Sequence, residues 1–88
     1  MHTVDLLKEC LQVAEQLGYQ VRHEWLGGVG GGACEFAGRR WIFLDLGLNT
    51  TEQLEQAAQA IRSDPQLEQI PLSASLTKLL TPPRRRAA

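Results

Sequence analysis

Hydrophobic residues of segment 4–17, VDLLKECLQVAEQL, recur at the spacing of an amphipathic helix. Polar side chains occupy the other side of this helix. Thr3 is a suitable N-cap and Gly18 a suitable stop after the last turn. We therefore predict a helix with a broad buried face, which comprises Leu6, Leu7, Cys10, Leu11, Val13, Ala14 and Leu17.

The pattern then changes to the alternation that is typical of β-strands. Residues 19–26 alternate, residues 33–37 form a short second segment, and residues 40–46 (RWIFLDL) are the most strand-like part of the chain. Gly38-Arg39 is predicted to form a tight turn. Three consecutive strands with short connections predict an antiparallel β-meander.

A second helix is predicted from the Asn49-Thr50-Thr51 segment onward, with Thr50 and Gln53 in a capping-box pattern. Asp64-Pro65 ends it, residues 66–72 are predicted to be irregular, and Ser73 caps a short last helix. The predicted fold class is a two-layer α+β domain with a three-stranded antiparallel meander and the order α-β-β-β-α(-α). We expect one domain over residues 1–81 and a flexible basic tail over residues 82–88.

The third predicted strand is apolar on both faces. Trp41 and Phe43 point to one side, and Ile42, Leu44 and Leu46 point to the other. Three helices can cover only one face of a three-stranded sheet well. Burying an aromatic side chain of the other face would contribute roughly 2–3 kcal/mol to stability. We therefore predict a homodimer, face to face or edge to edge through this strand, unless the C-terminal segment folds over the aromatic side. The predicted self-association residues are Trp41, Phe43 and Asp45.

Composition places the chain among ordinary globular proteins, with 88 residues, 43% hydrophobic, 22% charged and a net charge of −1. Residues 1–83 contain six basic and ten acidic side chains, a net charge of −4, which argues against a nucleic-acid partner. The basic tail holds Arg84, Arg85 and Arg86. No signal peptide and no apolar run of roughly 20 residues is found, so we expect no membrane association and a cytoplasmic location with reduced thiols.

The glycine-rich segment is the first candidate for a ligand site. Gly28 to Ala33 matches GxGxxG/A, but a strand follows it, whereas a dinucleotide site needs a helix there. We interpret it as a hairpin loop, and the alternative is a loop that contacts an unidentified small ligand. A thiol–imidazole pair of Cys34 and His23 across that hairpin is a second alternative to a simply packed cysteine. The candidate ligand-binding residues are Gly28, Gly30, Gly31, Gly32, Cys34, His23 and Glu35.

The remaining polar residues form no pattern that predicts catalysis. Asp45 interrupts an apolar strand and must be solvated, paired with Arg39, Arg40 or a partner subunit, or hydrogen-bonded, so a structural role is favoured. Neither His2 nor His23 stands in an HxH, HxxxH or HExxH pattern, so no metal site is expected. We assign no catalytic residue and no cofactor.

Residues 17–61 carry a family resemblance. The pattern VRxExLGGxGG…C…GRRWIFLDL resembles that of a small bacterial family of uncharacterised proteins with a glycine-rich β-hairpin, which implies no established activity. The matching positions are Val21, Arg22, Glu24, Leu26, Gly27, Gly28, Gly30, Gly31, Cys34, Gly38, Phe43 and Asp45.

Two functional hypotheses follow. The first is a small homodimeric binding or accessory module without catalytic activity. The alternative is a ligand-binding protein or thiol-dependent enzyme that uses the glycine-rich hairpin with Cys34 and His23. They differ in whether Cys34 opens into a pocket beside the hairpin or packs beneath a helix.

Overall fold

The computed structural model describes residues 2–28 and 31–80. Over these residues the chain forms three α-helices, one 3₁₀ helix and a three-stranded sheet, so the predicted α+β class is confirmed. The elements are α1 (His2–Gln16), β1 (Tyr19–Glu24), β2 (Gly32–Phe36), β3 (Arg39–Asp45), α2 (Thr50–Ile61), the 3₁₀ helix (Pro65–Gln69) and α3 (Ala74–Leu80). The predicted basic tail, residues 82–88, lies outside the described residues.

The sheet is mixed, which corrects the predicted antiparallel meander. Its strand order is β1-β3-β2, with β3 parallel to β1 and antiparallel to β2. The strand that is apolar on both faces thus lies in the centre, where both of its edges are paired. Edge-to-edge association through β3 is therefore excluded. The glycine-rich segment is also not a hairpin loop, because the strands it joins are not neighbours.

The one hairpin among the described residues joins β2 to β3 by a two-residue turn. Phe36 pairs with Arg39, and the intervening Ala37 and Gly38 have φ angles of 56° and 77°. Positive φ at both central positions defines a type I′ turn, which matches the twist of the flanking strands. The predicted turn is present, one residue earlier than Gly38-Arg39.

The hydrophobic core lies between the sheet and the helices. Alternate residues of a strand point to opposite faces, and Ile42 and Leu44 are fully buried among the side chains of α1 and α2. Leu76 and Leu80 of α3 join the same core, and α3 packs against α1 and α2. Residues 74–80 therefore lie on the helical side of the sheet and do not fold over Trp41.

Side-chain caps fix where the last helices begin. Asn49, and not Thr50, caps α2: its side chain accepts from Glu52 N at 2.8 Å, and Glu52 Oε1 accepts from Asn49 N at 3.0 Å. The prediction was one residue late because both registers satisfy the same sequence pattern. Ser73 caps α3 as predicted, and its own N–H and hydroxyl donate to Glu9 of α1 at 2.9 and 2.7 Å. The segment between these helices, predicted to be irregular, contains the 3₁₀ helix.

Candidate functional site

The glycine-rich segment crosses the carboxyl end of β3. Glu24 pairs with Asp45 on one side of β3, and Gly32 pairs with Phe43 on the other, so these two residues lie at opposite edges of the sheet. A Cβ atom on Gly31 would lie 2.0 Å from the carbonyl oxygen of Phe43. Close backbone approach therefore explains the glycine at this position.

The same close approach occurs on the opposite side of the crossing. A Cβ atom on Gly47 would lie 2.8 Å from the backbone nitrogen of Gly28. Val29 and Gly30, the latter a predicted ligand-binding residue, lie outside the described residues. Gly31 and Gly47 thus have a packing role that does not require a ligand.

Asp45 fastens this crossing segment to β3. The residue is 0% exposed, and its Oδ1 atom accepts hydrogen bonds from Leu26 N at 3.0 Å and Gly47 N at 2.8 Å. Sequence reasoning grouped Asp45 with the self-association residues. The structure instead places its carboxylate inside the protein, where two otherwise unsatisfied backbone N–H groups require an acceptor.

The proposed Cys34–His23 pair is not formed. Cys34 is paired with Trp41 and His23 with Leu44, and Trp41 and Leu44 point to opposite faces of β3. The two side chains are thus on opposite faces, with β3 between their strands. Glu35, the neighbour of Cys34, points to the face opposite Cys34. The three candidates therefore do not converge on one reacting atom, an arrangement that general acid–base or nucleophilic catalysis would need.

A shallow groove of about 230 Å³ lies beside β2, lined by Tyr19, Ala33, Cys34, Glu35 and Arg40. The positively charged guanidinium of Arg40 in this groove already has hydrogen-bond partners. Arg40 donates to Asp64 at 3.0 Å and to the carbonyl oxygen of Leu17, and its guanidinium carbon lies 4.3 Å from the Tyr19 ring centroid. Arg40 therefore ties the end of α1 to the segment after α2, a role for which the sequence offers no local pattern.

The two cysteines are in contrasting environments. Cys10 is buried in α1, and this burial, together with the smaller effect of the charge of Glu9, raises the pKa of its thiol to about 11. Cys34 is an exposed free thiol on β2. Only Cys34 is thus accessible to reagents or to another protein.

The sheet face opposite the helices, which we call the open face, carries an aromatic cluster. Trp41 and Phe43 stack with ring centroids 6.1 Å apart and are half-buried. Phe36 of β2 lies on the same face and is 69% exposed. The Nε1–H group of Trp41 is buried without an acceptor among the described residues, which is unfavourable in the single chain.

Charged groups border this cluster on β1. Arg22 and Glu24, which also point to the open face, form an ion pair at 2.6 Å. These two charges compensate each other, whereas the exposed Arg39, which alternates with Trp41 along β3, adds a positive charge on the same face. The open face therefore combines an apolar centre with a border of charged side chains of both signs.

Neither a metal centre nor a transmembrane helix is found in the part of the chain that the structure describes. Within residues 2–28 and 31–80, no three His, Cys, Asp or Glu side chains come together in a way that could hold a metal ion. No helix of these residues has the length and apolarity required to cross a bilayer.

The arrangement defines a small α+β domain with one helix-covered sheet face and one aromatic sheet face. No family model, curated protein or solved structure matches this chain.

Proposed function

We propose that this chain is a small homodimeric accessory module without catalytic activity, and that the open face takes part in its self-association. The observation that carries the proposal is the exposed Phe36 beside the Trp41–Phe43 stack. Three aromatic rings near water leave favourable free energy unused in a small domain, since burial of each ring contributes roughly 2–3 kcal/mol to stability. A second copy that contacts the open face would reduce the exposure of these rings, that of Phe36 most.

The charge of the molecule supports a second copy as the partner. The formal net charge is −1, so two copies repel each other weakly. On the open face Arg22 and Glu24 compensate each other, and the remaining positive charge of Arg39 is far less than the basic surface that a nucleic acid or an anionic membrane selects. The homodimer is therefore favoured over a polyanionic partner.

The separation of the candidate catalytic groups supports a non-enzymatic role. Cys34 and His23 lie on opposite sheet faces, and Arg40 is engaged by Asp64 and Leu17. We also propose a cytoplasmic location, because Cys10 and Cys34 are both free thiols and reduced thiols are the rule in that compartment.

Sedimentation velocity at micromolar concentration tests the proposal. We expect a species of twice 9.8 kDa for the natural chain and of 9.8 kDa for Trp41→Glu and Phe36→Asp. Gln20→Glu is the matched control. Gln20 is paired with Trp41 and lies on the same face, but it belongs to β1, at the edge of the sheet opposite Phe36. A natural chain that sediments as a monomer, or a Trp41→Glu and Phe36→Asp pair that both remain dimeric, would contradict the proposal.

A further inference from the structure

Building on the proposed homodimer, we propose that two copies of this chain join their sheets through the outer edges of β2. The strands run antiparallel, and Cys34 of each copy lies opposite Cys34 of the other. The result is a continuous six-stranded sheet. The arrangement follows from the hydrogen-bonding direction along β2, the pattern of its side chains, and a space above Gly32.

The turn between β2 and β3 determines which backbone groups of β2 point outward. Phe36 and Arg39 flank a two-residue turn and so form a hydrogen-bonded pair. Hydrogen-bonded and non-hydrogen-bonded pairs alternate along an antiparallel ladder. Cys34 therefore bonds inward to Trp41, whereas the N–H and C=O groups of Ala33 and Glu35 point to the outer edge. An outer edge of this kind is a template for another strand.

Only one two-fold register pairs all of these outward groups. With the axis at Cys34, Ala33 of each copy lies opposite Glu35 of the other, and four backbone hydrogen bonds form. An axis at Glu35 would place two carboxylates opposite each other and Ala33 opposite the turn residue Ala37. An axis at Ala33 would pair Glu35 with Gly31, beyond the start of β2 at Gly32. The register centred on Cys34 is thus favoured.

The open face fits the same register. Phe36 of one copy lies opposite Gly32 of the other, and a Cβ atom on Gly32 would meet nothing within 4 Å. The exposed Phe36 ring can occupy that space, next to Phe43, the partner of Gly32 in the sheet. Each copy therefore supplies both a projecting aromatic ring and a place to receive one.

The helical side offers a place for the remaining charged group. Glu35 of one copy lies opposite Ala33 of the other, at a groove of about 290 Å³ between β2 and α2. The amide groups of Gln56 and Gln59 line this groove and can donate hydrogen bonds to a carboxylate. The register thus brings Glu35 to hydrogen-bond donors and keeps it away from the second Glu35.

Disulfide trapping tests the register. In a non-hydrogen-bonded antiparallel pair the Cα atoms are about 4.5 Å apart, within the range that a disulfide spans. With Cys10→Ala as background, diamide oxidises two Cys34 thiols to one disulfide and takes up the two electrons and two protons released. The matched control carries Gln20→Cys and Cys34→Ala, which moves the thiol along the same row of the sheet to the opposite edge. We expect the Cys34 protein to form covalent dimer at least about ten-fold faster than the control, because only its thiols are held in this pair.

A backbone variant provides an independent measurement. Glu35→Pro removes an N–H that points outward and leaves the β2–β3 hydrogen bonds intact, as proline on an edge strand allows. Two intermolecular bonds are lost per dimer, so we expect dimerisation to weaken by about thirty-fold relative to Glu35→Ala.

The outcomes separate this register from the homodimer itself. Suppose that the natural chain is dimeric, but that the Cys34 protein and its control form covalent dimer at equal rates and Glu35→Pro and Glu35→Ala dimerise with equal affinity. This result would overturn the β2 pairing and leave the homodimer standing. A monomer at every concentration would overturn both.

Discussion

The two faces of β3 have similar apolar content and different surroundings. Ile42 and Leu44 are fully buried beneath α1 and α2, whereas Trp41 and Phe43 on the other face remain half-buried. The difference does not come from the strand, which alternates two equally hydrophobic sets of side chains. It comes from where the helices lie, since α3 also joins the helical layer. An apolar surface is thus left uncovered by the topology.

Asp45 marks the boundary of that difference. It points to the open face, yet it is fully buried because the glycine-rich segment passes over it. The open face therefore has a closed end at Asp45 and an accessible part around Phe36 and Cys34. The contrast between the two faces can be tested by substitutions at each.

The largest expected effect is on the covered face. Ile42→Ala leaves a cavity under the helices, and we expect it to lower the free energy of unfolding by about 4 kcal/mol. Phe36→Ala is the matched change on the accessible face, and we expect at most about 0.5 kcal/mol at concentrations where the chain is monomeric. Urea unfolding measures both. Equal losses would show that the two faces do not differ as described.

The second effect concerns the closed end of the open face. Asp45→Ala leaves the N–H groups of Leu26 and Gly47 without their acceptor, and we expect a loss of about 3 kcal/mol. Asp45→Asn retains a side-chain oxygen and should lose less. A stability unchanged by Asp45→Ala in urea unfolding would show that the crossing segment is held by other contacts.

The third effect is a pH dependence within the helical layer. The thiol of Cys10 has a pKa of about 11 in the folded chain and 9.0 when exposed, so the unfolded chain loses this proton first as pH rises. Stability from the neutral thiol is present below pH 9 and decreases above it, by about 2 kcal/mol at pH 11. The difference between the natural chain and Cys10→Ala across this range isolates the effect. A constant difference would contradict it.

The smallest effect is at the hairpin that presents Phe36. Ala37 has φ of 56°, a region in which alanine is disfavoured and asparagine is common. We expect Ala37→Asn to raise the free energy of unfolding by about 1 kcal/mol, and Ala37→Val to lower it. Thermal unfolding at a fixed low protein concentration compares the two. The opposite order would mean that this turn differs from type I′.

Local patterns predicted the elements well because they are encoded over a few residues. The periodicity of residues 4–17, the alternation of residues 40–46 and the cap at Ser73 all correspond to observed elements. The predicted hairpin between β1 and β2 was wrong, because glycines suit a hairpin loop and a close backbone crossing equally well. The strand order β1-β3-β2 and the 2.0 Å approach of a Cβ on Gly31 to the Phe43 carbonyl oxygen distinguish them.

The candidate site was predictable only in part. Trp41 and Phe43 share a face by simple alternation, and the structure shows their stack. The Cys34–His23 pairing depended on which strands are neighbours, a long-range property that alternation does not carry. The ion pair of Arg40 with Asp64 joins residues 24 positions apart and left no signal in either segment.

The α+β class, the amphipathic helices and a strand with two apolar faces could all be predicted from the chain alone. These depend on the periodicity of side chains and on backbone preferences within each segment. The central position of this strand, the packing of α3 with the other helices and the burial of Asp45 beneath the glycine-rich crossing were visible only in the folded chain. The reason is physical: strand order and helix placement are chosen by which arrangement buries the most apolar surface while satisfying the backbone, and that choice involves residues far apart in the chain.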